Sequence, residues 1–304
     1  MIKQQPSLAL TNVYKRFGEL EAVSDVTVSI YPGEVVGFVG PNGAGKTTTI
    51  SILMGFIAPS KGRVNVLGTD VRPESAHDIH KKVGFIAGDM VLPSTLTANQ
   101  YLSFCAAQNG RDDGHYASLV KHLSPVLDKP LRTLSRGNKQ KIALIAALQH
   151  APSVLILDEP TSGLDPLMQD VFFDVIKQES KRGTTVLMSS HILSEVSSVC
   201  SRIVFMKAGK FIIDKPISSI TDQLGKHITI TTNEVKKLIN FLPASVQLMS
   251  HQGSEVILSV PTDSLKAFMR WLITKQFDDI VIENRDLDAV FRELYVDKRR
   301  RERS

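Results

Sequence analysis

A glycine-rich segment constrains the fold of this chain more than any other feature of its sequence. Residues 40–47 read Gly-Pro-Asn-Gly-Ala-Gly-Lys-Thr and fit the pattern G-x-x-x-x-G-K-[ST], between a predicted strand at Val35–Val39 and a predicted helix from Lys46 to Phe56. Glycines let backbone N–H groups wrap a phosphate, and the dipole at a helix N-terminus favours the same anion. The segment therefore predicts a phosphate-binding loop between a buried strand and a helix.

The end of this loop carries two side chains with separate chemical tasks. Lys46 can reach the β- and γ-phosphates of a nucleoside triphosphate, and the hydroxyl of Thr47 can ligate Mg²⁺. A nucleotide and Mg²⁺ are therefore the expected cofactors. The loop residues predicted to bind the nucleotide are Gly40, Pro41, Asn42, Gly43, Ala44, Gly45, Lys46, Thr47 and Thr48.

A second apolar run ends in two adjacent carboxylates. Val154–Leu157 predicts a buried strand, and Asp158 and Glu159 follow it directly. Asp158 suits the Mg²⁺ shell, directly or through water, and Glu159 is placed to orient or deprotonate an attacking water. Alone, such a pair is more often a solvated strand end. Together with the phosphate loop, it predicts a hydrolytic site.

Several further motifs, in a fixed order, resemble those of the ATP-binding subunits of ABC transporters. Residues 158–165 look like the Walker B segment and D-loop of that family, residues 134–141 resemble its signature motif, and residues 189–191 resemble its H-loop. Phe17 matches the aromatic residue that stacks on adenine. The matches run across residues 8–215, about two thirds of the chain. Bacterial ABC-2-type exporter ATPases with a C-terminal extension are the closest match in pattern.

The resemblance implies a fold class and a set of partners. The expected fold is α/β, a P-loop NTPase domain of the ABC type with an N-terminal antiparallel β-subdomain and a helical subdomain. Two such domains would meet head to tail, as a homodimer or a heterodimer, and would bind ATP and Mg²⁺. A separate transmembrane permease would be the partner for export. The chain would then be cytoplasmic and peripheral on the inner face of the cell membrane.

The resemblance also assigns roles to residues outside the phosphate loop. Glu159, His191 and Lys46 would be catalytic, with His191 sensing the γ-phosphate. Ser135, the backbone of Gly137 and, in the D-loop, Asp165 would bind nucleotide. In isolation Ser135 would be an ordinary helix N-cap and His191 a polar residue at a strand end. The ordered set of motifs favours the functional roles.

Two positions depart from the family pattern. Gly88 stands where the family's Q-loop usually has glutamine, and it has no side chain to approach a metal. Asp89 is the nearest replacement, a hard oxygen donor suited to Mg²⁺, although Gly-Asp is also common turn chemistry. In the signature region, Arg136 replaces glycine and Asn138 replaces glutamine. Arg136 would add a long cation near the dimer seam.

The remaining sequence predicts a second, smaller domain. With 304 residues, two domains are expected: a nucleotide-binding domain at 1–220 and an accessory or regulatory domain at 221–296. The latter has the order β-α-β-β-α-β, which predicts a small ferredoxin-like α+β fold. Residues 297–304 form a basic tail. A frayed terminus explains this tail better than contact with anionic lipid does.

Composition narrows the functional classes further. The net charge is +5, but no aromatic-basic interleaving accompanies it, so no nucleic acid is expected as a partner. The longest apolar runs are far shorter than the roughly 20 residues that a membrane span needs, and no signal peptide is predicted. Cys105 and Cys200 are not close in sequence and fit a reducing compartment.

Two alternatives to a transporter subunit remain open. A soluble ABC ATPase that acts on ribosomes or DNA would usually carry two nucleotide-binding domains or long coiled-coil insertions. A non-enzymatic regulatory half-site, whose partner hydrolyses the nucleotide, would not need Lys46, Asp158, Glu159 and His191 together. The sequence shows one phosphate loop, no sustained heptad run and all four of these residues, which favours the transporter ATPase.

Overall fold

The computed structural model describes residues 4–74 and 76–284, except the side chains of 221–224 and 284. The chain divides into two compact units, Met1–Asp214 and Lys215–Ser304. The sequence pattern also predicts a helix from Leu287 to Tyr295; this helix, the domain limit at 296 and the basic tail lie outside the described residues. The boundary expected at 220 stays a prediction.

The first unit is built from two sheets and the helices around them. In chain order its elements are β1 (Leu8–Phe17), β2 (Leu20–Ile30), β3 (Val35–Val39), α1 (Lys46–Leu53), β4 (Lys61–Val66), β5 (Thr69–Asp70), α2 (Ala76–His80), β6 (Val83–Ile86), α3 (Ala98–Asn109), α4 (Asp113–Leu123), α5 (Arg136–Leu148), β7 (Val154–Asp158), α6 (Pro166–Lys181), β8 (Thr185–Ser190), α7 (Leu193–Val199), β9 (Arg202–Lys207) and β10 (Lys210–Pro216), which ends just inside the second unit.

An antiparallel sheet with the order β2-β1-β4-β5 forms the N-terminal subdomain. Strand β1 pairs antiparallel with both β2 and β4. Alternating apolar residues of these strands, such as Leu8, Leu10 and Val28, are buried in a core shared with the second sheet. The β1–β2 turn is formed by Gly18 and Glu19, so Phe17 is the last residue of β1.

The second sheet has the order β10-β9-β3-β8-β7-β6. From β9 through β3, β8 and β7 to β6, each pair of neighbouring strands is parallel. Every residue of β3, β7 and β8 is buried, as expected for a parallel sheet covered on both faces. Because β3, β8 and β7 are neighbours, the loops after their carboxyl ends meet at one edge of the sheet, where α/β proteins bind ligands.

The helices agree in outline with the sequence pattern. The region 97–149 contains α3, α4 and α5. A polar turn that includes Gly110 separates the first two helices, and a segment with Pro125 and Pro130 separates the last two. Helix α1 is shorter than predicted and ends at Leu53, because Gly55 adopts a left-handed φ of 70° that stops the helix. In the part of the chain that the structure describes, no helix has both the length and the apolar character needed to span a bilayer.

The second unit has the predicted ferredoxin-like topology. After α8 (Ile217–Leu224) come β11 (Lys226–Thr231), α9 (Val235–Asn240), β12 (Gln247–Gln252), β13 (Glu255–Val260), α10 (Leu265–Leu272) and β14 (Asp279–Asn284). The sheet order is β12-β13-β11-β14, and the paired strands are antiparallel. Helices α9 and α10 contribute to a separate core through Leu238, Phe268 and Leu272. The sequence prediction of this fold is confirmed.

Candidate functional site

The phosphate loop is held tightly by two strands of the first unit. A Cβ atom on Gly40 would collide with the carbonyl oxygen of Met206 in β9. Gly45 has a φ of 106°, and a Cβ there would lie 2.5 Å from the carbonyl oxygen of Ala22 in β2. Larger residues would therefore push the loop away from the sheet. These two glycines are needed for close backbone approach as well as for conformational freedom.

Lys46 lies beneath this loop at the start of α1. Its side chain is only 4% exposed, and its Nζ donates hydrogen bonds to the carbonyl oxygens of Gly40 at 2.8 Å and Pro41 at 3.2 Å. The same nitrogen lies 3.4 Å from Oε1 of Glu159. The ammonium group is thus fixed between the phosphate loop and the end of β7, where a phosphate on the loop would come within its reach.

Glu159 lies between two basic side chains, one on each of its carboxylate oxygens. Its Oε1 faces Lys46, and its Oε2 lies 3.4 Å from Nδ1 of His191. The backbone of Glu159 adopts a left-handed φ of 44°, an uncommon conformation for a residue with a side chain. Such backbone strain is often found at functional sites. The structure therefore brings together the three residues predicted to be catalytic.

Ser189 holds the Asp158 carboxylate and the Glu159 backbone at the end of β7. Asp158 pairs with Ser189 in the parallel register of β7 and β8, and the Ser189 hydroxyl donates a short hydrogen bond to Oδ1 of Asp158. The same hydroxyl oxygen accepts a hydrogen bond from the N–H of Glu159 at 2.9 Å. The sequence places Ser189 in the H-loop segment 189–191 but assigns it no role of its own. Its role depends on the pairing of β7 with β8, which no local pattern shows.

A cleft of about 440 Å³ contains the phosphate loop, Phe17 and Glu159. This volume is in the range of ligand sites, about 300–1,000 Å³. The Phe17 ring is 49% exposed, and Nζ of Lys15 lies 5.0 Å from its centroid. An exposed aromatic ring beside a phosphate loop is suited to stacking on a nucleotide base. The residues lining the cleft are Phe17, Leu20, Glu21, Ala22, Asn42, Gly43, Ala44, Gly45, Lys46, Thr47, Thr48, Glu159, Ala208 and Gly209.

The donor groups near the cleft fit Mg²⁺ bound together with phosphate. Asp158 is a hard carboxylate at the end of β7, and Thr47 offers a hydroxyl in the first turn of α1. Within 4–74 and 76–284, no group of three or more His, Cys, Asp or Glu side chains could enclose a metal. Mg²⁺ commonly binds through one or two carboxylates plus substrate phosphates, so this sparse donor set suits it.

The Gly88-Asp89 loop passes behind the same strand end. A Cβ on Gly88 would lie 3.1 Å from the carbonyl oxygen of Asp158. Asp89 itself is exposed and lines a second groove of about 520 Å³, whereas the residues lining the nucleotide cleft do not include it. The assignment of Asp89 as a metal ligand therefore stays a prediction, and its position gives that assignment no added support.

The signature and D-loop residues begin two helices. The Ser135 hydroxyl caps α5 by accepting from the N–H of Asn138 at 3.4 Å, and Asp165 caps α6 by accepting from the N–H of Met168 at 2.9 Å. The guanidinium of Arg136 lies against Gly163. Ser135, Gly137 and Asp165 do not line the cleft of their own chain. These three residues would therefore have to contact a nucleotide that is bound in the cleft of a second nucleotide-binding domain.

Comparison with known proteins gives a consistent result. A family model described as ABC transporter matches residues 23–162. The chain is similar to the linearmycin resistance ATP-binding protein LnrL of Bacillus subtilis (33% identical, 72% of each chain covered). It is also similar to the ABC transporter ATP-binding protein NatA of that species (31% identical, 70% of this chain and 91% of NatA). A third relative is the Nod factor export ATP-binding protein I of Sinorhizobium fredii (31% identical, 73% and 67%).

Solved structures show the same fold. The ATP-binding subunit of an ABC transporter is 26% identical, with a TM-score of 0.65 over 70% of this chain and 91% of that one. The ATP-binding cassette MJ0796 is 24% identical, with a TM-score of 0.63 over 69% of this chain and 98% of that one. The cleft geometry, the relatives and these folds agree. This chain therefore belongs to the ABC transporter ATP-binding proteins and is an ATPase of the ABC type.

Proposed function

We propose that this chain hydrolyses ATP with Mg²⁺ between two head-to-tail nucleotide-binding domains, and that it thereby powers export through a separate membrane permease. The observation that carries the proposal is the position of Glu159 in the cleft, within 3.4 Å of both Lys46 and His191. A carboxylate held between a phosphate-binding lysine and a histidine is suited to act on a water near the γ-phosphate. Two relatives are named for resistance or export, which supports the direction of transport.

The residues in and around the cleft have distinct parts in the proposed reaction. Backbone N–H groups of residues 42–47 and the Lys46 ammonium bind the phosphates, and Phe17 stacks on adenine. Glu159 orients the water and takes its proton as the water oxygen attacks the γ-phosphorus and the bond to the bridging oxygen breaks. His191 holds the Glu159 carboxylate and contacts the γ-phosphate. Asp158 and Thr47 would hold Mg²⁺, which supplies charge neutralisation when bound.

The proposed dimer accounts for residues that the cleft of one chain does not use. Ser135 and Gly137 lie at the N-terminus of α5, where backbone N–H groups and the helix dipole favour an anion. No acidic residue lies in the first turn of this helix. The partner's γ-phosphate is the proposed anion, with Asp165 in the adjoining D-loop. The partner is either a second copy of this chain or a related chain.

The second groove is the proposed docking surface for the permease. Three large apolar side chains line it while remaining exposed: Phe56, Phe104 and Val91, the last of which is 92% exposed. Exposed apolar clusters of this kind mark interaction surfaces. Asp89 lies in the same groove, so coupling to the permease is the better supported of its two candidate roles. Residues 90–102, a stretch rich in apolar and small polar side chains, belong to this proposed surface, and Met90 and Val91 line the groove.

Three measurements test this proposal at separate points. The purified wild-type chain should hydrolyse ATP, and absence of turnover would instead support a regulatory half-site. A multi-span membrane protein encoded beside this chain should copurify with it, and Val91→Glu should reduce that recovery while leaving ATP binding intact.

Asp89→Ala should lower transport in the assembled complex and leave basal ATPase activity unchanged. A slower, less Mg²⁺-dependent basal rate in this variant would instead make Asp89 a metal-side ligand.

The second unit is proposed to be regulatory or dimer-stabilising. The phosphate-handling residues named above all precede Arg202, and within the described residues of this unit no cluster of metal-ligating side chains occurs. Its ferredoxin-like sheet has a core of its own. The unit can therefore act on the cassette as a separate folded body. Its proposed role leaves the nucleotide chemistry to the first unit.

A further inference from the structure

A glutamate outside the cleft ties together several segments that carry the catalytic residues. The Oε2 atom of Glu195, on α7, accepts hydrogen bonds from the hydroxyls of Thr161 and Ser190, each at 2.8 Å. Its Oε1 accepts from the Nε2 of Gln169 on α6 at 3.3 Å. One carboxylate thus receives three donors from three different segments. Hydrogen bonds to an ionised acceptor are stronger than those between neutral groups.

Two of the donors are close in sequence to the two residues of the proposed catalytic pair. Thr161 is buried and follows Glu159 by two residues, and Ser190 is buried and directly precedes His191. The Ser190 hydroxyl oxygen also accepts from the N–H of Ile192 at 3.0 Å. The residues flanking His191 on both sides are therefore held through the Glu195 carboxylate. Glu195 does not line the cleft, so any influence on the reaction must pass through these neighbours.

Helix stability alone does not explain this arrangement. Glu195 lies in the first turn of α7, where an acidic side chain interacts favourably with the helix dipole. That effect requires only the charge near the helix N-terminus. It does not require donors from the D-loop, the H-loop and α6. The three external hydrogen bonds therefore point to a further role for this residue.

We propose that Glu195 is a positioning residue, which holds His191 within reach of Glu159 by fixing the H-loop and the D-loop to each other. This inference rests on the proposed function, in which His191 supports Glu159 during ATP hydrolysis. The D-loop belongs to the proposed dimer seam, so Glu195 also links that seam to the catalytic pair. A change at the seam would reach His191 through Thr161, Glu195 and Ser190.

The test is a double-mutant cycle between Glu195 and His191, measured as kcat for ATP. Glu195→Ala should lower kcat by about ten- to a hundredfold, since a small misplacement of a catalytic group can cost that much. The affinity for ATP should change little. In a His191→Ala background, Glu195→Ala should cause less than about a threefold further loss, because residues that act as a unit are not additive.

Matched variants separate positioning from general damage to the fold. Ser190→Ala should reproduce part of the kcat loss, because it removes the link to the H-loop. Ser198→Ala removes an exposed hydroxyl from the same helix, one that bonds the Glu195 backbone carbonyl and not its carboxylate, and should keep wild-type turnover. If Glu195→Ala does not fold, Glu195→Gln, which keeps the side-chain volume and loses an acceptor, carries the same cycle with the same expected result.

The outcomes distinguish this inference from the function on which it rests. Wild-type kcat in Glu195→Ala, with a slow His191→Ala enzyme, would overturn only the positioning role. Equal fold-losses from Glu195→Ala with and without His191 would overturn it as well, since the two residues would then act independently. A His191→Ala variant as fast as wild type would overturn the proposed catalytic pair, and the positioning role with it.

Discussion

The ammonium nitrogen of Lys46 lies 3.4 Å from the Oε1 atom of Glu159, although the strands that precede these residues are not neighbours. Lys46 follows β3 through the phosphate loop, Glu159 follows β7, and β8 lies between those strands in the sheet. The contact therefore crosses the end of β8, which itself leads to His191. Three consecutive strand ends thus converge on one carboxylate, and the chemistry of the cleft depends on that convergence.

Replacing Lys46 should remove both binding and turnover. Lys46→Ala deletes a buried positive charge that would contact the β- and γ-phosphates, and hydrogen bonds to charged groups contribute ~1.5–3 kcal/mol. We expect ATP affinity to fall by about tenfold or more and ATPase activity to fall to background. Fluorescent-nucleotide titration and phosphate release measure the two effects. Lys61→Ala, an exposed lysine on β4, is the matched control, and a Lys46→Ala enzyme with wild-type turnover would disprove the site.

Phe17 should contribute to base binding and not to phosphate binding. Stacking of a base on an aromatic side chain is worth ~1–3 kcal/mol, so Phe17→Ala should weaken ATP binding by about tenfold or more. Phe17→Trp keeps an aromatic ring and should retain most of the affinity. Tripolyphosphate, which has no base, should bind wild type and Phe17→Ala equally in calorimetry. Equal loss for both ligands would show that the ring supports the loop and does not stack on adenine.

Local sequence patterns predicted the parts of the site that lie within single segments. The phosphate loop, the carboxylates after β7 and the ferredoxin-like unit all follow from glycine spacing, apolar runs and turn residues. Ser189 lay in the predicted H-loop segment without a role, and Glu195 escaped prediction, because the roles of these residues depend on pairing between β7 and β8 and on contacts between α7 and distant loops. Asp165 was predicted to bind nucleotide, and its visible task in one chain is to cap α6. Its contact with nucleotide depends on a dimer, which no local pattern describes.

The length of α1 shows the same limit at the level of the fold. The apolar pattern continues to Phe56, but Gly55 in a left-handed conformation ends the helix early. A Cβ at Gly55 would lie 2.7 Å from the Cβ of Ala76. Close packing against α2 therefore decides this helix end. That packing is a tertiary contact, and helical periodicity alone does not reveal it.

A buried histidine should make stability depend on pH. Burial first, and then Arg182, lower the pKa of His115, while burial raises the pKa of Glu179, whose Oε1 lies 3.4 Å from His115 Nε2. Both shifts favour the neutral forms. His115 binds a proton more readily in the unfolded chain than in the folded one. The free energy of unfolding therefore decreases as pH falls below about 6.5, by up to ~1.4 kcal/mol per pH unit.

The variant His115→Gln isolates this contribution. Urea unfolding at pH 7.5 and pH 5.5 should show that wild type loses more stability on acidification than His115→Gln does. The difference between the two proteins is the quantity to compare, because Glu179 is present in both. Above its ordinary pKa, Glu179 makes the free energy of unfolding rise as pH falls, which is opposite to the effect of His115. Identical losses would mean that His115 has the same proton affinity in the folded and unfolded chain.

Removing the second unit should spare nucleotide binding. A chain that ends after Pro216, the last residue of β10, keeps the phosphate loop, Phe17, Glu159 and His191. We expect its dissociation constant for ATP to stay within about threefold of wild type, provided that circular dichroism shows a folded protein. Its ATP-dependent dimer should be weaker if the second unit stabilises the dimer. A folded truncation without nucleotide affinity would place part of the binding site in the second unit.

The most direct test is the behaviour of Glu159→Gln in the presence of Mg-ATP. Glutamine keeps the shape of the side chain but cannot take a proton from water, so turnover should fall by about a hundredfold or more while ATP binding persists. Size-exclusion chromatography with Mg-ATP should then show an accumulated dimer, absent with Mg-ADP. A Glu159→Gln protein that binds ATP and remains monomeric would contradict the two-domain mechanism, and one that hydrolyses ATP at the wild-type rate would contradict the role of Glu159.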